Sequence, residues 1–319
     1  NLYYFTGLEL SAGMLIATRD GGRLLVDNRY FEHAQKLSPF PVLLSETAPL
    51  KDLLKDVDQA GVDGTLVSHQ KFKELEQLTP EKKWISCPNL LRLLRMIKDE
   101  QEIEALKKAA DLGLQGFHFL ETQFREGVTE QELAQELEIF WKRLGSKGVA
   151  FEPIIAFGAN SSMPHYRGGK TALMRGMHIL VDIGVNLDHY HSDRTRVFFF
   201  GLPNPKIAQI YSLVQEAQKG ALEICTPGIP IGELDKVARE IIAAEGYGHL
   251  FTHSLGHGVG LEIHEEPFLR GKPPVSEMPL EAGMVITLEP GIYLPGEGGV
   301  RYEDTVLITP TGYEILMPS

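Results

Sequence analysis

The chain has 319 residues, 43% of them hydrophobic, which is enough for one large or two ordinary cores. Acids outnumber bases 43 to 31 and the formal net charge is -12, which argues against nucleic acid and anionic membrane as partners, since both bind through surplus Lys and Arg. Cys87 and Cys225 show neither a zinc spacing nor a disulfide framework, and no apolar run approaches the ~20 residues of a membrane span.

Residues 1–7 lack the charged and apolar regions of a signal peptide, although the chain does not begin with methionine. With the cysteine usage, the expected compartment is a reducing cytoplasm. Residues 14–17 and 24–26 read as strands around a turn at Asp20-Gly21-Gly22. Residues 50–60 read as a helix, 64–68 as a strand and 71–77 as a short helix, together a small α/β domain. From Arg95 to Gln115 the chain becomes charged and amphipathic, with Ile103, Leu106, Ala110 and Leu114 at helical spacing. The domain boundary is placed just before it, giving domains 1–94 and 95–319.

The second domain contains a short repeat. Gly127-Val128-Thr129 with Glu132-Leu133 recurs 101 residues later as Gly228-Ile229-Pro230 with Glu233-Leu234. Each copy leads to a stretch with a terminal histidine, at 151–165 and 251–264. A duplicated helix–helix–strand unit implies a pseudo-twofold core with a site between its halves.

Residues 178–185 form an apolar run interrupted only by Asp182. An ionised acid buried there must be paired, protonated or metal-bound, because burying it alone costs several kcal/mol. Asp193 opens the next apolar strand, 195–200, after a turn at 186–189. The pattern recurs where strand 284–288 ends at Glu289 and strand 300–308 contains Glu303. Period-two alternation puts Arg301 on the face of Glu303, where it can orient that carboxylate, and turns Asp304 away.

Histidines supply the remaining chemistry. His253, His257 and His264 lie in a glycine-rich stretch, where Gly256, Gly258 and Gly260 permit unusual backbone angles and close approach to another element. His33, His69, His118 and His249 have no such setting and are read as surface residues. Asp182, Asp193, Glu289 and Glu303 with His257 make an oxygen-rich donor set that suits Mn²⁺ or Co²⁺ better than a zinc site rich in His and Cys.

The segments DIGVNLDHYHSDRTR, HSLGHGVGLEIHEEP, TLEPGIY and GVRYEDT together resemble the "pita-bread" metallopeptidases of family M24, with the Xaa-Pro peptidases looking closest. The resemblance covers roughly the whole chain, with residues 2–7 and 27–30 as its weaker N-terminal pieces. It implies an α/β (α+β) chain, with a creatinase-like N-terminal domain before a pita-bread catalytic domain. It implies two divalent metal ions, Mn²⁺ before Co²⁺ or Zn²⁺, held by Asp182, Asp193, His257, Glu289 and Glu303. Asp193 and Glu303 would bridge them, and Glu289 would also handle the proton of the bridging water, whose hydroxide attacks. His165 and His264 would stabilise the intermediate, while His253, Tyr293 and Arg301 would line the substrate region. A proline-containing peptide is the implied substrate, cleaved by a homodimer.

Two departures stand out. His189 occupies a common glycine position, where it could narrow the cleft, and Arg194 replaces a small or apolar residue. Other readings are a methionine aminopeptidase-like activity and a metal-free, creatinase-like enzyme or binding module.

Overall fold

The computed structural model describes residues 1–46 and 48–317, with the Leu90 side chain also outside the description. The chain divides into two compact units, Asn1–Leu94 and Arg95–Ser319. The first opens with helix α1 (Leu2–Thr6) and strands β1 (Met14–Thr18) and β2 (Gly21–Val26). It continues through α2 (Phe31–Leu37), β3 (Val42–Leu44), α3 (Leu50–Leu53), β4 (Gln59–Val62), α4 (His69–Leu78) and β5 (Lys83–Ser86) to α5 (Leu90–Met96), which runs into the second unit.

Strands β1 and β2 form the expected hairpin, with Met14 opposite Leu25, but Gly21 and Gly22 belong to the strand and the turn is Arg19-Asp20. Strand β3 joins β2 in parallel, over a small core of Leu8, Leu24, Val26 and Ala34. The expected helix at 50–60 stops at Leu53, because residues 59–62 pair in parallel with 83–86. Pairing across that distance overrides local propensity. The expected strand at 64–68 is a turn: Asp63 Oδ1 accepts the Thr65 backbone N–H and hydroxyl. Ser68 then caps α4 by accepting from Lys71 N.

The second unit begins with α6 (Glu100–Gln123) and α7 (Glu130–Arg143), followed by β6 (Gly148–Val149), β7 (Ile154–Phe157), β8 (His178–Ile183), β9 (Val185–Leu187), β10 (Tyr190–His191) and β11 (Arg194–Phe199). Helices α8 (Pro205–Glu223) and α9 (Ile231–Ala244) open its second half. Strands β12 (Gly256–Gly258), β13 (Glu265–Leu269), β14 (Val285–Leu288), β15 (Gly291–Leu294), β16 (Gly298–Arg301), β17 (Asp304–Thr309) and β18 (Gly312–Ile315) complete it. The helix expected from Arg95 starts at Glu100, because Asp99 and Glu102 form a capping box; Thr129 and Glu132 form another before α7.

The two halves repeat one plan. One sheet has the order β11-β8-β7, and the other contains β17-β14-β12. Gly127 N donates to Leu173 O and Leu173 N to Val128 O; Gly228 N donates to Leu280 O and Leu280 N to Ile229 O. The short repeat is therefore structural, and it extends further than the sequence reading found. Residues 173–184 (LMRGMHILVDIG) and 280–291 (LEAGMVITLEPG) share the pattern L-x-x-G-M-x-I-x-x-acid-x-G, 107 residues apart. Gly176 and Gly283 both adopt positive φ, at 92° and 94°. Each half has its own apolar core: Leu112, Leu133 and Trp141 pack with Ile179 and Val181 in one, and Ile210, Val214 and Leu234 with Ile286 and Leu288 in the other.

Candidate metal centre

The duplication puts one pair of acids at equivalent places in each half. Asp182 lies near the end of β8 and Asp193 immediately precedes β11; Glu289 immediately follows β14 and Glu303 immediately precedes β17. Strand β8 is buried throughout and pairs on both sides, Asp182 lying between Ile154 and Thr195. The hairpin expected between the first two acids is present, with its tip at Leu187–Tyr190.

Strand 300–308 is in fact two strands. Strand β16 pairs with β15 and β17 with β14, so the chain changes sheets at Tyr302-Glu303. There Glu303 N donates to Thr195 O, and Arg196 Nη1 donates to Glu303 O at 2.6 Å. The expected Arg301–Glu303 contact is consequently indirect. Arg301 Nη2 donates to Asp182 Oδ2, while its Nε donates at 3.0 Å to Thr195 Oγ1, which donates at 2.6 Å to Glu303 Oε2. Asp304 turns away as expected, but it is buried and held by Arg196 and by Gln218 Nε2 at 2.9 Å.

Ligand atoms of Asp193, His257 and Glu303 lie within 4.8 Å of one another. His257 Nε2 is 3.5 Å from Asp193 Oδ2 and 3.5 Å from Glu289 Oε1. The other ring nitrogen, Nδ1, lies 3.1 Å from Gly258 O. A carbonyl only accepts, so Nδ1 carries the proton and Nε2 offers a lone pair. Burial first, then the neighbouring His264, pushes the His257 imidazole down to about 3, so it is neutral at ordinary pH. A neutral Nε2 and two carboxylate oxygens face one another without a donor unless a proton or a cation stands between them.

The acids make the same demand. Burial, then Asp182, pushes Glu303 up to about 8. Burial and the charge of Glu303 hold Asp193 and Glu289 well above the ordinary carboxylate range. Asp182 Oδ1 is buried without a hydrogen-bond partner. Crowded anionic oxygens, one orphaned, beside a neutral imidazole are the donor set of hard divalent cations, and the residues fit such ions.

The glycines around His257 serve close approach rather than unusual angles. A Cβ on Gly256 would lie 2.0 Å from Thr287 O, and one on Gly258 2.3 Å from Glu266 O. Neither residue has positive φ. Thr287 Oγ1 accepts from His257 N at 3.1 Å and so fixes the ligand strand.

The expected substrate residues surround the centre. The His264 ring sits 4.3 Å, centroid to centroid, from that of His257. Burial above all pushes the His253 imidazole down to about 3 and holds His264 below its ordinary range, and the nearby His165 adds to both shifts. Burial pushes Tyr293 up to about 12; its hydroxyl accepts from Arg301 Nη1 at 2.7 Å and lies 2.8 Å from His253 Nε2. His253 Nδ1 is 2.8 Å from Ser254 O, so both of its ring nitrogens are engaged. His189 has φ 75° at the hairpin tip, where glycine is at ease, and its ring lies 2.7 Å from Lys147 Nζ. Arg194 lies 3.3 Å from Asp304. His33, His69, His118 and His249 are exposed, as expected.

Sequence reasoning missed Thr195, Thr305 and Thr287. The first two follow Asp193 and Glu303 in matching acid-x-Thr triplets, and they answer one another: Thr195 Oγ1 donates to Glu303 Oε2, and Thr305 Oγ1 to Asp193 O at 2.7 Å. That repetition was the available signal.

The duplicated α+β domain has the pita-bread fold, and the four acids and neutral imidazole at its seam are a donor set that would fit divalent cations. The chain belongs to metallopeptidase family M24, which residues 104–310 match; residues 1–97 match the creatinase/prolidase N-terminal domain. It is 40% identical over 314 residues to the Xaa-Pro dipeptidase of Pyrococcus furiosus, covering 98% of this chain and 89% of that one. Among solved structures, it resembles an X-Pro aminopeptidase from Thermotoga maritima (TM-score 0.92, 35% identity, 100% of this chain and 91% of that one). It also resembles an Xaa-Pro dipeptidase from Bacillus anthracis (TM-score 0.94, 32% identity, 100% and 90%). Among the described residues no helix is long and apolar enough to cross a membrane.

Proposed function

We propose that the protein hydrolyses the bond between an N-terminal residue and proline, using two divalent cations held by Asp182, Asp193, His257, Glu289 and Glu303. The observation that carries the reading is the opposition of the neutral His257 Nε2 to Asp193 and Glu289 at 3.5 Å each. When bound, such cations supply a water that is nucleophilic at neutral pH and a Lewis acid for the scissile carbonyl. The donor set is mostly carboxylate, which supports Mn²⁺ over Zn²⁺.

The protein's own groups divide the remaining work. Asp193 and Glu303 would be shared between the two cations, and Glu289 would take the proton of the attacking water. Arg301, bonded to Asp182, Thr195 and Tyr293, keeps Asp182 aimed. His165 and His264 stabilise the charge that develops on the carbonyl oxygen. Tyr293 and His253 form a linked wall for the proline ring. Proline's amide has no N–H, so recognition must come from such a shaped wall.

The relatives named above include dipeptidases and an aminopeptidase, so substrate length is the variable to test. Xaa-Pro, Xaa-Pro-Xaa, longer peptides and Met-Ala should be offered to the Mn²⁺-loaded protein. Cleavage at Xaa-Pro with Met-Ala inert is expected; Met-Ala cleavage with inert Xaa-Pro peptides would overturn the proposal.

A further inference from the structure

Glu130, the first residue of α7, is 0% exposed, yet its partners are all neutral. Oε1 accepts from Phe157 N at 2.8 Å and from Asn160 Nδ2 at 2.9 Å. Oε2 accepts from the Tyr166 hydroxyl at 2.8 Å and from Gly169 N at 3.0 Å. A buried carboxylate is costly unless its oxygens are satisfied, and these are satisfied by four donors. All four donors belong to residues 157–169, which run from the last residue of β7 into the stretch before β8 that carries His165. The two hydrogens of Asn160 Nδ2 are shared among Glu130, the Tyr166 hydroxyl at 3.0 Å and Thr171 Oγ1 at 2.9 Å, which ties the stretch to Tyr166 and to the residues just beyond it.

The other half is built alike. On α9, the helix equivalent to α7, the buried Asp235 accepts from Leu255 N at 3.0 Å and pairs with Arg239 Nε at 2.8 Å. Arg239 donates to Phe251 O and His253 O, so an acid on the second helix again braces a histidine-bearing segment.

We propose that Glu130 is a positioning residue, whose four hydrogen bonds fix residues 157–169 so that His165 meets the substrate. This rests on the role given to His165 above. Glu130→Gln keeps the volume but places an amide N–H₂ against Gly169 N–H, so one bond is lost and the stretch loosens. The test compares Glu130→Gln, His165→Ala and the double variant in Mn²⁺-loaded protein, measuring kcat, KM, metal content and melting temperature. The expected result is a roughly tenfold fall in kcat for Glu130→Gln with metal content unchanged, and a double variant no slower than His165→Ala alone.

Losses that multiply in the double variant overturn the positioning role while leaving His165 in place. So does a lowered melting temperature with kcat unchanged, which is the behaviour of a purely structural acid. Full activity in His165→Ala removes the role of His165, and this inference with it. If Glu130→Gln does not fold, Tyr166→Phe removes one of the four bonds and keeps the ring. It should lower kcat about threefold, again without adding to His165→Ala; an additive loss counts against the proposal.

Discussion

Thr195→Val tests whether the metal centre is organised by the link between Arg301 and Glu303. Thr195 is fully buried, and valine copies its shape, so the change leaves no cavity. It removes two hydrogen bonds to charged groups: one donated to Glu303 Oε2 at 2.6 Å and one accepted from Arg301 Nε at 3.0 Å. Such bonds are worth about 1.5–3 kcal/mol each, and losing a group that orients a ligand costs about 10–100-fold in metal affinity. Thr305→Val is the control. Its hydroxyl donates to the Asp193 backbone carbonyl, a neutral bond worth about 1 kcal/mol, so affinity should fall by about fivefold at most. Mn²⁺ binding isotherms on both variants and the parent decide the matter, with activity recovering in Thr195→Val at saturating metal. Unchanged affinity in Thr195→Val, or a larger loss in Thr305→Val, would refute the reasoning.

Metal-free protein should lose stability as pH rises. Glu303, pushed up to about 8 by burial and Asp182 from an ordinary 4.5, holds extra protons in the folded state. Its contribution is complete below 4.5 and is lost as pH rises through about 8. Melting temperature between pH 5 and 9 should therefore fall, and Mn²⁺ should reverse the fall, because bound carboxylates must be ionised; a metal-free curve rising across this window would contradict it. Glu303→Gln should abolish turnover and yet raise the metal-free melting temperature at pH 8, by removing one of the crowded acids; a lower melting temperature there would count against mutual repulsion. Gly258→Ala puts a Cβ 2.3 Å from Glu266 O, an overlap that should cost at least about 1–3 kcal/mol. An unchanged urea midpoint would show that the backbones are not so close.

Of the five proposed ligands, the four acids stand out in the sequence because acids are costly inside apolar strands and each lies in or beside one, while His257 stands out by its glycine-rich setting. Their setting was less legible, since it depends on contacts distant in sequence. Period-two alternation put Arg301 beside Glu303, but the chain changes sheets at residue 302 and Thr195, 108 residues away from Glu303, becomes the intermediary. The glycines near His257 were read correctly as a sign of close approach, while their unusual angles did not materialise. Helix α3 and the turn after β4 went astray because the pairing of 59–62 with 83–86 outweighs local pattern. Only part of the duplication was visible, although the 173–184 and 280–291 copies carry it more fully and align Asp182 with Glu289.

The central claim is that the acids and His257 hold cations that drive cleavage before proline. The direct measurement strips the protein with chelator, counts its metal, and follows hydrolysis of matched Xaa-Pro and Xaa-Ala peptides as Mn²⁺ is added back. The account predicts no turnover without metal, full recovery near two ions per chain, and selectivity for Xaa-Pro. Undiminished activity in the metal-free protein, or equal cleavage of both peptides, would contradict it.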